Sequence, residues 1–307
     1  MKILVTGAAG FIGKWTVSEI AQKGHEAFGL DKLAGGYSVQ ADITDVNQIT
    51  ETFKEIKPDA VIHLAAISGS SGKNEIEQSM RQSHLNFLVN SMGTANVCEA
   101  MKKCGIGKLV YMSTFAVYGK SGSDRLPLGP NTSLSLQHAY AYSKYMGELS
   151  VRAYSEDFGI KSAIIRAPFI SGEGQNERNV LVEFVDCAID GKDLILLGQG
   201  QHVREFVHPI DLANAFMRAV EKLDDFKEQS EVFVVGNRPI STKQLAEMVV
   251  SKVGTGQIVV LPDLMGRGFD QYSNWTKAKE LLGWSPTIGI EEIVERVVRD
   301  RKSHRKC

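Results

Sequence analysis

The residues with the clearest chemical meaning are a tyrosine and a lysine in the pentad YAYSK, Tyr140 to Lys144. The surrounding segment predicts a helix through Tyr154, and residues four apart on a helix share one face. An ammonium beside a phenol favours the phenolate and pulls its pKa from ~10 toward neutrality, as a proton acceptor for an alcohol hydroxyl requires. The pentad therefore predicts a general base, although the same spacing also occurs by accident on surface helices.

A hydroxyl at the end of an earlier predicted strand completes the set. Thr114 lies 26 residues before Tyr140, in the run VYMSTFAVYG. There its side chain can hydrogen-bond the substrate oxygen that Tyr140 deprotonates, with Lys144 as the electrostatic helper. Thr114, Tyr140 and Lys144 are therefore the predicted catalytic residues.

The opening segment, MKILVTGAAGFIG, joins a short apolar stretch to three regularly spaced glycines. Lys2 to Thr6 predicts a buried strand, Gly7 permits the sharp exit from it, and Gly10 lets a pyrophosphate approach the backbone. Gly13 lets the following helix pack closely on the sheet, so that the N–H groups at its start face the phosphates. The pattern predicts a dinucleotide phosphate site, while three glycines near a strand end can also form an ordinary tight turn.

An acid at the end of the second predicted strand discriminates between cofactors. The run from Glu26 is largely apolar until it reaches Asp31, 18 residues after Gly13. A carboxylate there accepts both hydroxyls of an adenosine ribose and repels a 2′-phosphate, which favours NAD over NADP. The other interpretation of Asp31 is a plain turn acid.

The pattern up to about residue 166 alternates short β-branched runs with helical segments, which is typical of a parallel sheet covered on both faces. We therefore predict a doubly wound, Rossmann-type α/β sheet, with chemistry gathered beyond the carboxyl ends of its strands. The predicted strands are Lys2 to Thr6, Glu26 to Asp31, Ser38 to Ala41, Ala60 to Leu64, Lys108 to Ser113 and Ser162 to Arg166.

The sequence pattern changes after residue 167, where Gly-rich loops and separate helical segments replace the regular alternation of strands and helices. We predict that residues 1–166 form an NAD-binding domain, with a return strand near residues 231–236. Residues 167–307 are predicted to form a smaller, interrupted α/β domain that mainly binds substrate, in a cleft between the two. The helices predicted there are Leu181 to Asp190, Asp211 to Lys222, Thr242 to Val253 and one from Glu291.

Composition narrows the class of protein. At 307 residues, with 43% hydrophobic and 23% charged residues, the chain is typical of a globular protein with a substantial core. Its formal net charge of -1 gives no reason to expect nucleic acid or an anionic membrane as a partner. The four cysteines form no CxxC pair and predict reduced thiols in the cytoplasm, with metal ligation by Cys98 and Cys104 as the alternative. No apolar run approaches the ~18 residues of a membrane span.

These motifs together resemble the extended short-chain dehydrogenase/reductase superfamily, and within it the nucleotide-sugar epimerase and dehydratase group, in a UDP-glucose 4-epimerase-like pattern. The resemblance covers nearly the whole chain. It implies a homodimer formed through two helices from each subunit, here residues 90–103 and 140–157. The motifs that carry it are GAAGFIG at 7–13, DI at 42–43, HLAA at 63–66, NSMGTANVCEA at 90–100, MSTFAVYG at 112–119, YAYSK at 140–144, VREFVHPIDLA at 203–213 and LGWSP at 282–286.

The resemblance also implies roles that spacing alone does not reveal. It implies that Asp42 and Ile43 touch adenine, that Ala65 and Ala66 line the cofactor channel, and that Lys144 also holds the nicotinamide ribose. The expected cofactor-binding residues are Gly7, Gly10, Phe11, Ile12, Gly13, Asp31, Asp42, Ile43, Leu64, Ala65, Ala66, Asn90, Ser113, Tyr140 and Lys144.

The second half carries the residues that the resemblance assigns to a nucleotide-diphosphate sugar, together with Thr114. Arg204 in GQGQHVREFVH, and Arg267 with Asp270 in RGFD, resemble the group's contacts to the diphosphate and the nucleoside ribose. The planar fork of arginine pairs with phosphate oxygens at two points, although a surface ion pair is the commoner fate of an arginine. Phe169, also expected near the substrate, stands where the group usually has an asparagine that contacts the diphosphate.

The two residues that follow the active threonine favour one reaction type. Sugar 4,6-dehydratases and sugar-acid decarboxylases of the resembled group are similar to one another in carrying an acid two positions after the active threonine or serine. Here Phe115 and Ala116 follow Thr114. Neither side chain can move a further proton, so we predict 4-epimerisation of a nucleotide-linked hexose through a transient 4-keto sugar, with NAD retained. The alternatives are a dehydrogenase or reductase of a sugar or sugar acid, which Phe169 favours, a 4,6-dehydratase, and a non-catalytic NAD-binding module.

Overall fold

A seven-stranded parallel sheet forms the centre of the computed structural model, which describes residues 1–33, 35, 38–68, 83–120, 123–176, 179–262 and 268–305. The strands in chain order are Lys2–Thr6 (β1), Glu26–Asp31 (β2), Ser38–Gln40 (β3), Ala60–His63 (β4), Lys108–Thr114 (β5), Lys161–Ala167 (β6), Phe169–Ile170 (β7), Leu194–Leu197 (β8), Val203–Arg204 (β9), Phe206–Val207 (β10), Ser230–Val234 (β11), Ile240–Ser241 (β12) and Ile258–Leu261 (β13). The large sheet has the order β11-β6-β5-β4-β1-β2-β3. Its order reverses between β1 and β4, which opens a crevice for ligands beyond the carboxyl ends and confirms the predicted doubly wound α/β fold.

Helices cover both faces of this sheet, as the continuous burial of its central strands requires. The α-helices of the described ranges are Phe11–Gln22 (α1), Val46–Ile56 (α2), Thr94–Cys104 (α3), His138–Phe158 (α4), Val180–Ile189 (α5), Pro209–Lys222 (α6), Thr242–Val253 (α7), Thr276–Leu282 (α8) and Ile290–His304 (α9), of which α5, α7 and α9 pack away from this sheet. On one face, α1 and α6 bury Ile20 and Phe216 against Ile3 of β1. On the other face, α2, α3 and α4 bury a second core that includes Phe53 and Met101.

A third core lies outside the large sheet, in the second half of the chain. There α5, α7 and α9 bury Leu181, Leu245 and Ile293 together. Three two-stranded sheets accompany them, pairing β7 with β10, β8 with β13 and β9 with β12. The chain nevertheless returns to the large sheet, because β11 pairs in parallel with β6 and α6 packs in the first core. The division into a cofactor domain and a substrate domain at residue 166 remains a prediction.

One predicted helix differs in kind from the observed one. The segment expected to run as a helix over 90–103 begins with a π-helical stretch, Phe87–Gly93, that continues directly into α3. Such stretches are frequent at functional sites. This one carries Asn90, whose side chain is fully buried at the centre of the molecule.

Three of the cysteines lie within the described residues, and all three are free thiols. Cys98 belongs to the core beneath α3, where burial raises the pKa of its thiol to about 12. Across the described ranges no three His, Cys, Asp or Glu side chains gather as a metal site would require. None of the helices in these ranges is both long and apolar enough to cross a membrane.

Candidate active site

The YAYSK pentad, predicted to be catalytic, lies on α4 where that helix packs on β5. The Tyr111 hydroxyl of β5 donates a hydrogen bond to the backbone carbonyl of Lys144, at 3.2 Å. Gly147 permits this close approach, because a Cβ there would lie 2.2 Å from the Tyr111 oxygen. The helix therefore packs tightly on the strand that ends at Thr114, with Lys144 at the contact.

Lys144 is a buried cation. Its side chain is 3% exposed, and its ammonium lies 4.3 Å from the centre of the Tyr111 ring, a cation–π contact. Burial lowers the pKa of Lys144 to about 7, against the opposing effect of the negative charge of Glu148. The ammonium is therefore close to losing its proton at neutral pH, and small changes in nearby charge will decide its state.

Thr114 ends β5 with its hydroxyl oriented by the backbone. Its Oγ1 accepts a hydrogen bond from the Ala116 N–H at 3.2 Å and so caps the short 3₁₀ turn Phe115–Tyr118. An oxygen that accepts in this way keeps its own O–H to donate. The Phe115 ring is buried in a small apolar cluster with Val117 and Leu128, so this turn presents no carboxylate beside Thr114.

The sequence analysis missed a buried ion pair directly behind these residues. Glu148 follows Lys144 by one helical turn, and its carboxylate binds the Arg166 guanidinium through Nε at 2.9 Å and Nη2 at 2.7 Å. The same carboxylate accepts from Ser113 Oγ at 2.5 Å. The signal in the sequence was an acid four residues after Lys144, on the same helical face. Its partner, Arg166, lies on β6 and could not be identified from spacing.

The glycine turn after β1 is too tight for side chains. Gly7 has a φ of +74°, and a Cβ there would lie 2.7 Å from the Ala65 nitrogen. A Cβ on Gly13 would lie 2.1 Å from the Gly7 carbonyl oxygen, and one on Gly10 would lie 3.1 Å from it. The glycines thus let β1, α1 and the segment after β4 approach one another closely, with backbone rather than side chains facing the crevice.

The start of α1 fits an anion. The helix begins at Phe11, with no side-chain cap on Gly10 and no acidic residue in its first turn. The N–H groups of Phe11, Ile12 and Gly13 have no acceptor within the helix because of their position in its first turn. Together with the positive end of the helix dipole, these groups form a site for phosphate oxygens.

Asp31 lies at the end of β2, against the glycine turn. Its Oδ2 accepts from the Ala9 N–H at 2.9 Å and its Oδ1 from the Leu33 N–H at 3.0 Å. A carboxylate has about four acceptor sites, so both oxygens can still receive ribose hydroxyls. The structure thus places Asp31 where a ribose contact is expected, and that contact remains a prediction.

Asp42 and Ile43 follow strand β3, which pairs with β2, the strand that ends at Asp31. Although burial opposes it, hydrogen bonds from Thr44 and the ion pair with Lys32 lower the pKa of Asp42. The Ile43 side chain is buried against Gly93, where an added Cβ would lie 2.6 Å from its Cδ1. Contact of Asp42 and Ile43 with adenine remains a prediction.

The segment after β4 is held by buried polar side chains. Thr6 Oγ1 accepts from the Ala65 N–H at 3.2 Å, and Asn90 binds both the N–H and the carbonyl of Ile67, at 2.8 and 3.0 Å. The Asn90 amide also donates to Ser143 Oγ at 3.0 Å. Asn90 therefore joins this segment, which includes Leu64 and Ala66, to the catalytic helix.

Two of the residues expected to contact the cofactor are thus engaged with protein. The side-chain amide of Asn90 is committed to Ile67 and Ser143, and the Ser113 hydroxyl is committed to Glu148. Their direct contact with a cofactor remains a prediction. What the geometry assigns to both is the placement of neighbouring groups.

The substrate half contributes a partly buried cation. Arg204 donates from Nη1 to the Val203 carbonyl at 2.9 Å and lies 4.4 Å from the centre of the Phe269 ring. Burial lowers the pKa of Arg204 to about 10, against the opposing effect of Asp270. Asp270 itself accepts from the Val203 N–H at 2.9 Å, so it holds the strand that carries Arg204. The other arginine expected here, Arg267, lies outside the described residues.

Phe169 packs on protein. Its ring stacks on Phe206 with 5.7 Å between centroids and 25° between planes, at the edge of the third core. A phenyl ring offers no hydrogen bond to a diphosphate, so any substrate contact here is apolar, and that contact remains a prediction.

The two halves meet beside Thr114. Gln271, next to Asp270, donates from Nε2 to the Phe115 carbonyl at 3.2 Å. Leu128 exchanges backbone hydrogen bonds with the same segment, donating to Tyr272 and accepting from Asn274, both at 2.8 Å. One continuous stretch of chain, residues 270–274, therefore joins the strand that carries Arg204 to the turn after Thr114.

Comparisons with known proteins agree with this arrangement. The sequence model described as the NAD dependent epimerase/dehydratase family matches residues 3–236. The chain belongs to this family. A Methanocaldococcus jannaschii protein that carries the provisional name UDP-glucose 4-epimerase is 31% identical over 320 residues, which cover 99% of each chain.

Two solved structures are also similar along nearly their whole length. UDP-glucose 4-epimerase of Thermotoga maritima with UDP-glucose has a TM-score of 0.86 and 26% identity, covering 99% of each chain. UDP-glucose 4-epimerase of Thermus thermophilus in complex with NAD has a TM-score of 0.82 and 26% identity, covering 98% of this chain and 99% of that one.

NAD is the cofactor of this family, and the residues present in this chain fit it. Side chains would fill the space at Gly7 and Gly13, which glycine leaves for a close backbone approach. The first turn of α1 offers N–H groups to a pyrophosphate, and Asp31 offers acceptors to a ribose.

Proposed function

We propose that this protein is an NAD-dependent epimerase that inverts C4 of a nucleotide-diphosphate hexose through a transient 4-keto sugar. The observation that carries the proposal is the packing of α4, which bears Tyr140 and Lys144, against β5. That strand ends at Thr114, and the two residues that follow it, Phe115 and Ala116, carry no acid. A donor, a base and a cation there suffice for reversible oxidation at one carbon, and elimination needs a further acid.

In this proposal each side chain has a defined task. The Tyr140 oxygen takes the proton of the C4 hydroxyl, the Thr114 hydroxyl donates to the same sugar oxygen, and the Lys144 ammonium stabilises the phenolate. Bound NAD supplies the hydride acceptor at C4 and, once the sugar has turned, the hydride donor. The proton then returns from Tyr140 to the C4 oxygen.

Arg204 supports a diphosphate-linked substrate. Its guanidinium is largely removed from water, and burial weakens its hold on its proton, so an anion beside it would be favourable. A diphosphate held by Arg204 would let the sugar turn while the nucleotide stays in place. The relatives named for UDP-glucose make a UDP-sugar the first substrate to test.

A second candidate is a dehydrogenase or reductase of a sugar or sugar acid. Phe169 favours it, because the ring stacked on Phe206 replaces a hydrogen-bonding side chain on the diphosphate side. The same Thr114, Tyr140 and Lys144 would serve this reaction. The two functions differ in whether reduced cofactor leaves the protein.

A homodimer and a cytoplasmic location belong to the same proposal. The two helical segments expected at the dimer interface both expose apolar side chains, and such patches mark interaction surfaces. The exposed side chains are Phe87, Leu88 and Met92 on the first segment and Tyr142, Met146 and Leu149 on α4. Light scattering of Met146→Lys/Leu149→Lys, expected to be a monomer, tests the interface.

The function is tested with the protein as purified. A thermal-shift panel with NAD and UDP-, GDP-, CDP- and dTDP-hexoses identifies the nucleotide, since only a ligand of the folded state raises the melting temperature. The best ligand is then incubated with the protein and the sugar analysed. A C4 epimer with no accumulation of NADH is the expected result. Stoichiometric NADH with an oxidised sugar would establish the second candidate instead.

A further inference from the structure

A buried ion pair lies behind the proposed catalytic residues and takes no part in the reaction as written above. Glu148 is completely buried and Arg166 is 2% exposed. Both carboxylate oxygens of Glu148 receive the Arg166 guanidinium, Oε1 from Nε at 2.9 Å and Oε2 from Nη2 at 2.7 Å. A two-point pair of this kind has a fixed geometry, and loss of either partner leaves an uncompensated buried charge.

This pair connects the elements that carry the reaction. Glu148 lies one turn after Lys144 on α4, and its Oε1 also accepts from the hydroxyl of Ser113, the residue before Thr114. Arg166 extends the network by donating from Nη1 to the Tyr118 hydroxyl at 3.0 Å, on the turn that Thr114 caps. One carboxylate thus joins the helix of the base to the strand of the donor.

The same carboxylate acts on the charge of the site. Glu148 raises the pKa of Lys144 and so works against the lowering by burial, while Arg166 offsets the negative charge of Glu148. The titratable and charged groups that face this cluster are Tyr140 and Glu148 on α4, Tyr111 on β5, His63 on β4, Cys98 on α3, Tyr118 on the 3₁₀ turn and Arg166 on β6.

We propose that Glu148 is a positioning residue that fixes Thr114 against the face of α4 that carries Tyr140 and Lys144, and whose negative charge supports the Lys144 ammonium one helical turn away. The inference rests on the proposed function, because this geometry matters to catalysis only if Tyr140 is the base. With Glu148 neutral, the Lys144 ammonium would lose the negative charge that supports it against burial. The ammonium would then lose its proton at lower pH, and the alkaline limb of turnover would move in the same direction.

Lysine NMR measures the charge part without turnover. Protein labelled with [ε-¹³C]lysine is titrated with pH, and Lys144→Met identifies the signal of Lys144. Glu148→Gln is expected to lower the measured pKa of Lys144 by about one unit or more, because it removes the negative charge one helical turn away. The double variant Glu148→Gln/Arg166→Met, which removes both charges, is expected to lower it as well. Asp186→Asn, which breaks a pair with Arg301 elsewhere in the fold, is the control and leaves it unchanged.

A folded Glu148→Gln protein with an unchanged Lys144 pKa would overturn the charge part. If that variant fails to fold, the double variant decides, because it leaves no uncompensated buried charge and is also expected to lower the Lys144 pKa. Ser113→Ala tests the positioning part, since it removes one hydrogen bond and no charge. It is expected to lower kcat about tenfold with KM and the Lys144 pKa unchanged, and an unchanged kcat would overturn that part.

These readouts separate the inference from the function beneath it. If the wild-type protein does not epimerise the sugar but the expected NMR shifts are observed, the proposed function is rejected, and with it the role of Glu148 in catalysis. Epimerisation that is abolished by Tyr140→Phe, without the NMR shifts and without an effect of Ser113→Ala, would reject the inference alone.

Discussion

The proposed cofactor site and the proposed substrate site of this molecule are built in opposite ways. The glycine turn is made of backbone from neighbouring residues, and its capacity to bind comes from the absence of side chains at Gly7 and Gly13. The substrate side is made of side chains from distant segments, with Arg204 and Asp270 brought together by a long return of the chain. A site made of backbone admits one kind of ligand, whereas a site made of side chains can change its ligand by single substitutions.

Gly13→Val would break the cofactor half most severely. A Cβ there would meet the Gly7 carbonyl at 2.1 Å, so the turn must open and the phosphate site is lost. Calorimetry is expected to find no NAD binding. Gly107→Val is the matched control, because an added Cβ at Gly107 meets nothing within 4 Å. Retention of NAD binding by Gly13→Val would contradict the steric account.

Tyr140→Phe separates binding from chemistry. It is expected to leave NAD affinity nearly unchanged and to lower turnover about a hundredfold or more, because the phenol oxygen carries the proton transfer while the expected cofactor contacts are spread over many other residues. Turnover and calorimetry on the same preparation check it. Tyr142→Phe, a neighbouring exposed phenol, is the control. Loss of NAD binding with no separate effect on turnover would argue against the role of Tyr140.

Arg204→Ala would affect the substrate half alone. It is expected to raise KM for the nucleotide sugar about tenfold while NAD binding stays the same, since a charged hydrogen bond to phosphate is lost. Steady-state kinetics measure it, with Arg238→Ala on the surface as the control. An unchanged KM would indicate a substrate without a diphosphate.

Phe169→Leu gives the smallest expected effect. The stacked contact with Phe206 is lost but an apolar side chain remains, so the free energy of unfolding should fall by about 1 kcal/mol. Chemical denaturation measures this change, and KM is expected to stay within about twofold because a phenyl ring donates no hydrogen bond to phosphate. A large rise in KM would give Phe169 a direct part in binding substrate.

The fold and the placement of the YAYSK pentad on a helix could be predicted because their signals are local. Strand β1, the glycine turn and the pair Tyr140 and Lys144 are each encoded within a few consecutive residues, where hydrophobic runs and helical spacing suffice. The predicted seventh strand of the sheet, β11, also followed from a single apolar run.

The supporting contacts could not be predicted from the sequence because they join separate elements. Glu148 and Arg166 are 18 residues apart, and Asn90 reaches Ile67 across 23 residues. Neither pair has a spacing that identifies it, since a buried acid or amide finds its partner only when the strands and helices are in place. The hydrogen bonds by which Asn90 joins Ile67 to Ser143 of α4 could likewise not be predicted, and the resemblance suggested a cofactor contact for Asn90 instead.

A hydride tracer tests the central claim most directly. The nucleotide hexose with the largest thermal shift is prepared with deuterium at C4 and incubated with the protein. The account predicts a C4 epimer that keeps its deuterium at C4, since the hydride leaves and returns within one complex. Deuterium found in released NADH, or an epimer that has exchanged its C4 hydrogen with solvent, would contradict it.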